Sequence, residues 1–218
     1  MPTSVASATA PRTAHLAKPI ALAAVLLVAI GFVLRDVFHY YLNFNPAGFG
    51  HFWPVRGWLL LHISSGMVAI LIGPWQFSRR LRQRHLSLHR LLGRTYLIAI
   101  AGGAVAGMNL AVTNPFGWAW GTGLTGLALA WVTTSGMAFY AIKQRQIQVH
   151  QEWMVRSYVV TFAFVTFRLL NDYGPTSHLK PVGDRIVTMV WTSWAIPLLF
   201  AEVILQLRRM KLQNHAGR

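Results

Sequence analysis

The sequence predicts an all-α integral membrane protein, a helical bundle with six transmembrane helices. Of its 218 residues, 54% are hydrophobic and only 11% are charged, whereas a soluble domain usually carries about a quarter of its residues charged. These values exclude a water-soluble globule, and they equally exclude a disordered chain. The six helices follow from six apolar stretches, each at or near the length of about 20 residues that a bilayer requires.

The six stretches account for most of the chain and leave too few residues for a soluble domain. They are residues 19–34, 57–77, 91–112, 118–142, 153–170 and 186–207. The sequence therefore predicts one membrane domain over residues 19–207, with a four-helix core from spans two to five in residues 55–175. The flanking residues 1–18 and 208–218 are predicted to be cytoplasmic tails, and the second of these is basic.

The segments between the spans indicate where each helix ends. Span one follows Arg12 and Lys18, and it is short if it stops at Arg35, unless it continues towards Tyr41. The loop that follows is rich in aromatic side chains, which is typical of an interfacial belt. Spans two and four end at basic loops, and span six ends at the basic tail.

The net charge of +15 comes from 20 Lys and Arg residues against 5 Asp and Glu residues. Such a balance is typical of nucleic-acid binding proteins, but the positions of the charges favour another interpretation. Fifteen basic residues fall on one side of the six predicted spans, and only four, Arg35, Arg56, Lys180 and Arg185, fall on the other. The positive-inside rule then predicts that both termini are cytoplasmic. We expect the lipid bilayer as partner and no nucleic acid.

Span two carries a histidine followed by small residues on nearly one helix face. His62 is followed by Gly66, Ala69, Gly73 and Gln76 at helical spacing. Small residues allow close packing of transmembrane helices, and His62 is then a hydrogen-bonding group between helices. The alternative is a groove that admits a flat cofactor next to His62.

Span three opens with two histidines four residues apart, His85 and His89. Both could face one metal ion if the helix begins early enough. His85 is otherwise an ordinary interfacial residue, whereas His89 lies at the mouth of the bundle. Gly93, Gly103 and Gly107 follow His89 along the same face.

Span five carries the most unusual polar residues. His150 and Arg168 are eighteen residues apart, so a continuous helix places them on one face, roughly 27 Å apart. Arg156 points elsewhere and is expected to snorkel to the inner surface. Arg168 either snorkels outwards or has a partner inside the bundle, such as a ligand anion, Asp172 or Asp36. Glu202 in span six is expected to pair with Arg156 or Arg145.

Three motifs resemble those of an uncharacterised bacterial family of multi-pass membrane proteins, a domain-of-unknown-function family. They are the HRxxGR motif at residues 89–94, the HxxWMxRS motif at residues 150–157 and His62 with Gly66. The resemblance covers about residues 55–175. It implies the bacterial inner membrane as location. It also implies a set of characteristic positions: His62, His89, Arg90, Gly93, Arg94, His150, Trp153, Met154, Arg156 and Arg168.

A more distant resemblance is to membrane b-type cytochromes of the ascorbate-reducible and ferric-reductase-like kind, in which histidines on facing helices clamp haem. It implies haem b between His89 and His150, with Arg90, Arg94 or Arg156 paired to the propionates. In this hypothesis the protein is a small cytochrome or a quinone-linked electron carrier with an electron-donor partner. His62 and Arg168 would form an outer quinone or second-cofactor site. With no cysteine in the chain, thiolate-held haem and iron–sulfur clusters are excluded.

Two other function classes stay open. One is a proton-coupled or small-molecule transporter with an outer site at His62 and Arg168, since a histidine exchanges protons near neutral pH. The spans show no paired Gly/Pro breaks of the kind that mark many transporter sites. The other is an accessory or assembly subunit of a membrane complex. Motifs for hydrolytic catalysis are absent from the sequence.

Overall fold

The computed structural model of the protein describes residues 13–174 and 182–216, and all regular structure in these ranges is helical. The α-helices are α1 (Thr13–Phe32), α2 (Phe38–Leu42), α3 (Pro46–Phe49), α4 (Arg56–Gln76), α5 (Arg79–Arg84), α6 (Leu86–Val112), α7 (Trp118–Lys143), α8 (Ile147–Thr161), α9 (Ala163–Tyr173) and α10 (Val182–Ala216). Some basic residues that the predicted orientation depends on lie outside the described residues. They are Arg12, Lys180 and Arg218, and the side chain of Lys18 is also not described.

Five helical stretches in the described ranges are long and apolar enough to cross a membrane. They are Ile20–Leu42, Pro46–Gln76, Leu86–Val112, Trp118–Lys143 and Gly183–Asn214. A sixth candidate consists of two helices, α8 and α9, which meet at an angle of 41°. The prediction of a membrane-spanning helical protein is therefore supported by five stretches, and it reaches six spans if the bent pair is one span.

The first membrane helix is longer than residues 19–34 because the chain stays helical through a π-helical segment, Val33–Val37, into α2. Such a segment accommodates one extra residue in a helical turn and rotates the residues that follow it. Val33 and Val37 are buried, whereas Arg35 is exposed. The continuation towards Tyr41 thus exists, and Asp36 lies in the π segment itself.

The predicted continuous helix of span five is wrong, because α8 ends at Thr161 and α9 begins at Ala163. The backbone N–H of Phe162 donates to the carbonyls of both Tyr158 and Val159, each at 3.2 Å, which tightens the last turn of α8. The hydroxyl of Thr161 also donates to the Ser157 carbonyl at 2.9 Å. Back-bonding of this kind bends helices. His150 and Arg168 consequently lie on two helices rather than on one straight face.

The largest buried cluster draws on α4, α6, α7, α8 and α9. Its buried members include Ala69, Tyr96, Trp131 and Met154, and Trp194 of α10 packs against it. Close-packed interiors of this kind hold each side chain in one position. The cluster therefore provides a rigid frame for the polar groups described below.

The two ends of the bundle differ in chemistry. We call one the basic end, because it contains α5 with its four arginines and the last turns of α10. We call the other the aromatic end, because Phe44, Phe49 and Trp53 pack edge to face there. The connections between successive long helices that the structure describes alternate between these two ends.

Candidate functional site

A cavity of about 220 Å³ lies in the aromatic half of the bundle, and we call it the aromatic-end cavity. Its wall is formed by the first membrane helix and by α4, α6, α7, α8 and α9. Most of the wall is apolar. The polar or aromatic residues that concern us are Asp36, His62, Trp131, Thr161, Phe164 and Arg168. A concave, mostly apolar pocket with a few polar groups is the usual form of a small-molecule site.

His62 is held in a single orientation on the wall of this cavity. Its Nδ1 lies 2.8 Å from the carbonyl oxygen of Gly103 on α6. A carbonyl can only accept, so Nδ1 carries the proton and the neutral ring keeps an acceptor lone pair on Nε2. The edge of the ring meets Phe164, with the ring centres 6.0 Å apart. No partner for Nε2 is found in the described residues, which leaves it available to a ligand.

Glycine residues on α6 make room for this imidazole. A Cβ at Gly107 would stand 3.1 Å from His62 Nδ1, and one at Gly103 would stand 3.0 Å from the Trp131 ring. Gly66 on α4 lines the cavity and has open space where its Cβ would be. Within the small-residue stripe on α4, Gly66 borders the cavity beside His62 and Gly73 packs against Tyr158 of α8.

Asp36 and Arg168, which line the cavity, belong to a cluster of four charged side chains. Arg168 Nε lies 3.6 Å from Asp36 Oδ1, and Arg35 Nε lies 3.6 Å from Asp36 Oδ2. Arg35 also pairs with Asp172. Of the partners expected for Arg168, Asp36 is the one present. The two acids and two bases balance, so the cluster joins the first membrane helix to α9 with no net charge.

A chain of hydroxyl groups runs from the cavity towards the middle of the bundle. Thr161, on the cavity wall, accepts from Trp131 Nε1 at 2.9 Å and shares a hydrogen bond of 2.9 Å with the Tyr96 hydroxyl. Tyr96 shares a second bond of 2.9 Å with Ser157, and Ser157 shares one of 2.8 Å with Ser135. Tyr96 and Ser157 have no exposed surface. Thr161 donates its proton to the Ser157 carbonyl and Ser135 donates to the Trp131 carbonyl, so both end hydroxyls accept within the chain and Tyr96 donates to Thr161.

His150 and His89 lie towards the basic end. The Nδ1 of His150 is 2.8 Å from the Ala138 carbonyl on α7 and therefore donates to it. His89 is half-buried, and its Nδ1 is buried without a partner in the described residues.

His85 does not share the helix face of His89. It precedes the first residue of α6, and its side chain is exposed. In the part of the chain that the structure describes, no group of three or more His, Cys, Asp or Glu residues is arranged to hold a metal ion. A site made by His85, His89 and His150 therefore has no geometric support.

One observation supports haem binding between His89 and His150, namely the orientation of the His150 ring. His150 donates from Nδ1 to a carbonyl and keeps Nε2 for a metal, which is the usual arrangement of a ligating histidine. A porphyrin, however, also needs a slot between its two ligands. Neither His89 nor His150 lines the aromatic-end cavity or the groove described next. We therefore derive no step through haem.

The arginines assigned to haem propionates have different environments. Arg90 and Arg94 are exposed. Arg156 is 6% exposed, and its Nε donates to Glu202 Oε2 at 2.8 Å. The expectation that Arg156 snorkels to the surface is wrong, because the Glu202 carboxylate compensates its charge inside the bundle. The expected pairing with Glu202 is present.

Arg156 and Glu202 line a second depression, which we call the lateral groove. It lies between α7, α8 and α10, and its other lining residues include Thr134, Trp153, Trp194 and Leu198. The guanidinium carbon of Arg156 lies 4.7 Å from the centre of the Trp153 ring. This stacking keeps the guanidinium against α8.

Several residues of the site escaped sequence reasoning. Trp131 and Tyr96 look like ordinary apolar-face residues in the sequence, yet both bond to the hydroxyl chain. One feature of the sequence could have indicated the hydroxyl chain. Ser157 and Thr161 on span five are one helical turn apart, so their hydroxyl groups share a helix face. Ser135 had no signal, because its partner is 22 positions away.

Comparison with known proteins identifies a family. No curated protein and no solved structure matches the chain. The family described as "Predicted membrane protein (DUF2306)" matches residues 59–205, from α4 into α10, which is longer than the 55–175 covered by the three motifs. That match covers more than half of the 218 residues, and the chain therefore belongs to the DUF2306 family of predicted membrane proteins.

Proposed function

We propose that the protein binds a lipophilic quinone-type ring in the aromatic-end cavity and serves as a quinone-linked membrane component. The observation that carries the proposal is the fixed orientation of His62, whose Nδ1 is bonded to Gly103 and whose Nε2 is free at the wall of the cavity. A preorganised acceptor in an apolar pocket orients a hydroxyl-bearing ring.

The size and lining of the cavity agree with a substituted six-membered ring. Its volume is about 220 Å³, whereas an engineered apolar cavity of about 150 Å³ holds benzene. Trp131 and Phe164 supply aromatic surface on the wall. Offset or edge contacts between such rings and a bound ring are favourable.

The polar groups on the wall suit the two oxygens of a quinol or quinone. A quinol hydroxyl can donate to His62 Nε2, and a quinone carbonyl can accept from an N–H of Arg168 that Asp36 does not use. Thr161 connects the same wall to the hydroxyl chain. Protons released or taken up at the ring thus have hydroxyl neighbours along Tyr96, Ser157 and Ser135.

The proposed setting is a bacterial inner membrane, with the basic end in the cytoplasm and six spans. The support is the distribution of arginine, because α5 and the end of α10 carry the basic residues. The aromatic-end cavity then opens towards the opposite side of the membrane.

Ligand binding by the purified protein tests the proposal. The probe is a short-chain quinone and its quinol, and the measurement is quenching of tryptophan fluorescence in lipid nanodiscs. We expect His62→Phe to weaken quinol binding about 5- to 150-fold, because a buried hydrogen bond of about 1–3 kcal/mol is lost. His85→Phe, at an exposed histidine, is the matched control and should bind as the natural protein does. Equal quinol affinity of His62→Phe and the control would contradict the proposal.

Haem remains a prediction with its own measurement. A reduced-minus-oxidised absorbance spectrum of the purified protein, expressed with ample haem, detects a b-type centre directly. A spectrum without a Soret band removes haem and leaves quinone binding unaffected, because the His62 site contains neither His89 nor His150.

A transporter is the second candidate, and the break between α8 and α9 favours it. Thr161 ends α8 at the cavity wall, and the two helices meet at 41°. Interrupted helices border the substrate sites of many transporters. The chain has no cysteine, so a single cysteine at Gly66 can be labelled from either side of sealed vesicles. Transport requires labelling from both sides, and labelling from one side only excludes it.

A further inference from the structure

The lateral groove contains two buried donors without partners in the described residues. Nη1 of Arg156 and Nε1 of Trp194 are both inaccessible and unbonded, and both side chains line the groove. Unpaired buried N–H groups are costly, at about 1–3 kcal/mol each and more when charged. A membrane position raises that cost, because no bulk water is present.

The other two guanidinium nitrogens of Arg156 have an acceptor, whereas Nη1 has none in the described residues. Nε and Nη2 both donate to Glu202 Oε2, at 2.8 Å and 2.5 Å. The hydroxyl of Thr134, on the opposite wall, donates to the Ala130 carbonyl at 2.7 Å. The groove is thus lined by two residues, Arg156 and Trp194, that each contain a buried N–H without an acceptor oxygen in the described residues.

The charge of the groove selects a neutral acceptor. The Glu202 carboxylate balances the Arg156 guanidinium, so no net positive charge remains to attract an anion. Bringing a phosphate into this region would add an uncompensated charge at low dielectric. A carbonyl oxygen accepts hydrogen bonds without that cost.

Arg156 lies near the basic end of the bundle. It lies one helical turn, roughly 6 Å, beyond Glu152, and Glu152 pairs with Arg209 at the basic end. Beyond Arg156 the groove continues along Leu198 and Leu199 of α10, and Leu199 is 63% exposed on the flank of the bundle. A ligand with a carbonyl near Arg156 and an apolar chain along these leucines would pair the unbonded N–H and cover the apolar surface of the groove.

We infer that the lateral groove binds a membrane glycerolipid, with an acyl-ester carbonyl accepting from Arg156 Nη1 and the acyl chain lying along Leu198 and Leu199. This site is separate from the aromatic-end cavity. It shares no lining residue with that cavity, so its test and the quinone test can fail independently.

Native mass spectrometry of the delipidated protein tests the inference with three matched probes. They are a diester phospholipid, its diether analogue with the same headgroup and chains, and a quinone with a tail of similar length. We expect the diester to bind at least tenfold tighter than the diether, because only the ester has the carbonyl. Equal binding of the two phospholipids overturns the inference, as does preferential binding of the quinone or retention of no lipid.

Two variants locate the effect. Arg156→Lys keeps a charge beside Glu202 but removes the Nη1 donors, and it should abolish the preference for the ester. Trp118→Phe, at an exposed tryptophan outside the groove, is the control and should retain that preference. If Arg156→Lys does not fold, the neutral double variant Arg156→Gln with Glu202→Gln replaces it, with the same expected loss. An ester preference that survives removal of Arg156 overturns the assignment.

Discussion

The imidazole Nδ1 of His62 lies 2.8 Å from the carbonyl oxygen of Gly103, across the contact between α4 and α6. This bond determines which nitrogen carries the proton and which one remains free for the aromatic-end cavity. It depends on a glycine one turn further along α6, because a Cβ at Gly107 would stand 3.1 Å from Nδ1 and 3.2 Å from Cε1. One backbone contact thus determines the chemistry of the candidate site.

Gly107→Ala is expected to shift the His62 ring and weaken quinol binding more than it weakens the fold. The added methyl carbon would lie closer to the His62 ring than an ordinary van der Waals contact allows. The ring must therefore move by a few tenths of an ångström, which lengthens its hydrogen bond to Gly103. Fluorescence quenching measures the affinity and thermal unfolding measures the stability. Gly136→Ala, where nothing lies within 4 Å of the added Cβ, is the control. Unchanged quinol binding in Gly107→Ala would show that the ring position does not matter.

Gly73→Ala is expected to destabilise the bundle by about 1–3 kcal/mol through overpacking. The new Cβ would lie 2.1 Å from the Tyr158 ring, and that ring cannot retreat without losing the bond from its hydroxyl to the Ile70 carbonyl at 2.9 Å. Chemical or thermal unfolding in mild detergent measures the loss. A stability equal to that of Gly136→Ala would contradict the packing of α8 against α4.

Asp36→Asn tests the charge cluster at the cavity wall. Its partners Arg35 and Arg168 are 53% and 42% exposed in their side chains, so we expect a loss of at most about 1 kcal/mol. Salt screens such pairs. The natural protein should therefore lose stability between 0.05 M and about 1 M NaCl, and the variant should lose less. If salt lowers the stability of both proteins by the same amount, the charge cluster does not contribute to stability.

Glu202→Gln is expected to destabilise more than the double variant Arg156→Met with Glu202→Leu. Arg156 is buried, so removal of Glu202 leaves an uncompensated guanidinium, whereas removal of both charges leaves none. The single change should cost about 1–3 kcal/mol, since Glu202 is itself partly exposed. With the single variants Arg156→Met and Glu202→Leu, the double variant forms a closed double-mutant cycle, and thermal unfolding of the four proteins gives the coupling. A double variant that is less stable than Glu202→Gln would falsify the claim that Glu202 compensates the buried charge of Arg156.

Ser157→Ala removes the middle of the hydroxyl chain. Tyr96 and Ser135 each lose a bonding partner, and we expect a cost of about 1–2 kcal/mol. Tyr96→Phe should cost a similar amount, and the two changes combined should cost less than their sum, because both break one shared bond. Thr122→Ala, at an exposed threonine, is the control. Strict additivity would show that the hydroxyls act independently.

Part of this architecture was predictable because membrane insertion depends on properties that are local in the chain. A bilayer demands about 20 apolar residues per helix, and that demand can be checked by counting. The same reasoning singled out Arg168 and Glu202, because ionisable groups in apolar stretches need partners. Asp36 was one of the few possible partners for Arg168, since the chain has only 5 Asp and Glu residues. Arg156 was one of the two arginines expected for Glu202.

The break at Phe162 was not predictable by the same means. It lacks proline and glycine, and it arises from a tightened turn together with the back-bond of Thr161 to Ser157. The burial of Arg156 was missed for a related reason. Whether a long cationic side chain snorkels or turns inwards depends on where α10 places Glu202, 46 positions away.

The sequence by itself determined that this is a multi-helix membrane protein with unusual histidines and arginines and with motifs of an uncharacterised family, because hydropathy, charge distribution and short motifs are properties of adjacent residues. Only the tertiary structure decided what those residues face. It turned His62 towards a cavity, joined Tyr96, Ser157 and Ser135 into one chain, and enclosed Arg156 beside Glu202. These relationships depend on which helices pack together, and helix packing follows from side-chain shape over the whole bundle rather than from any local pattern.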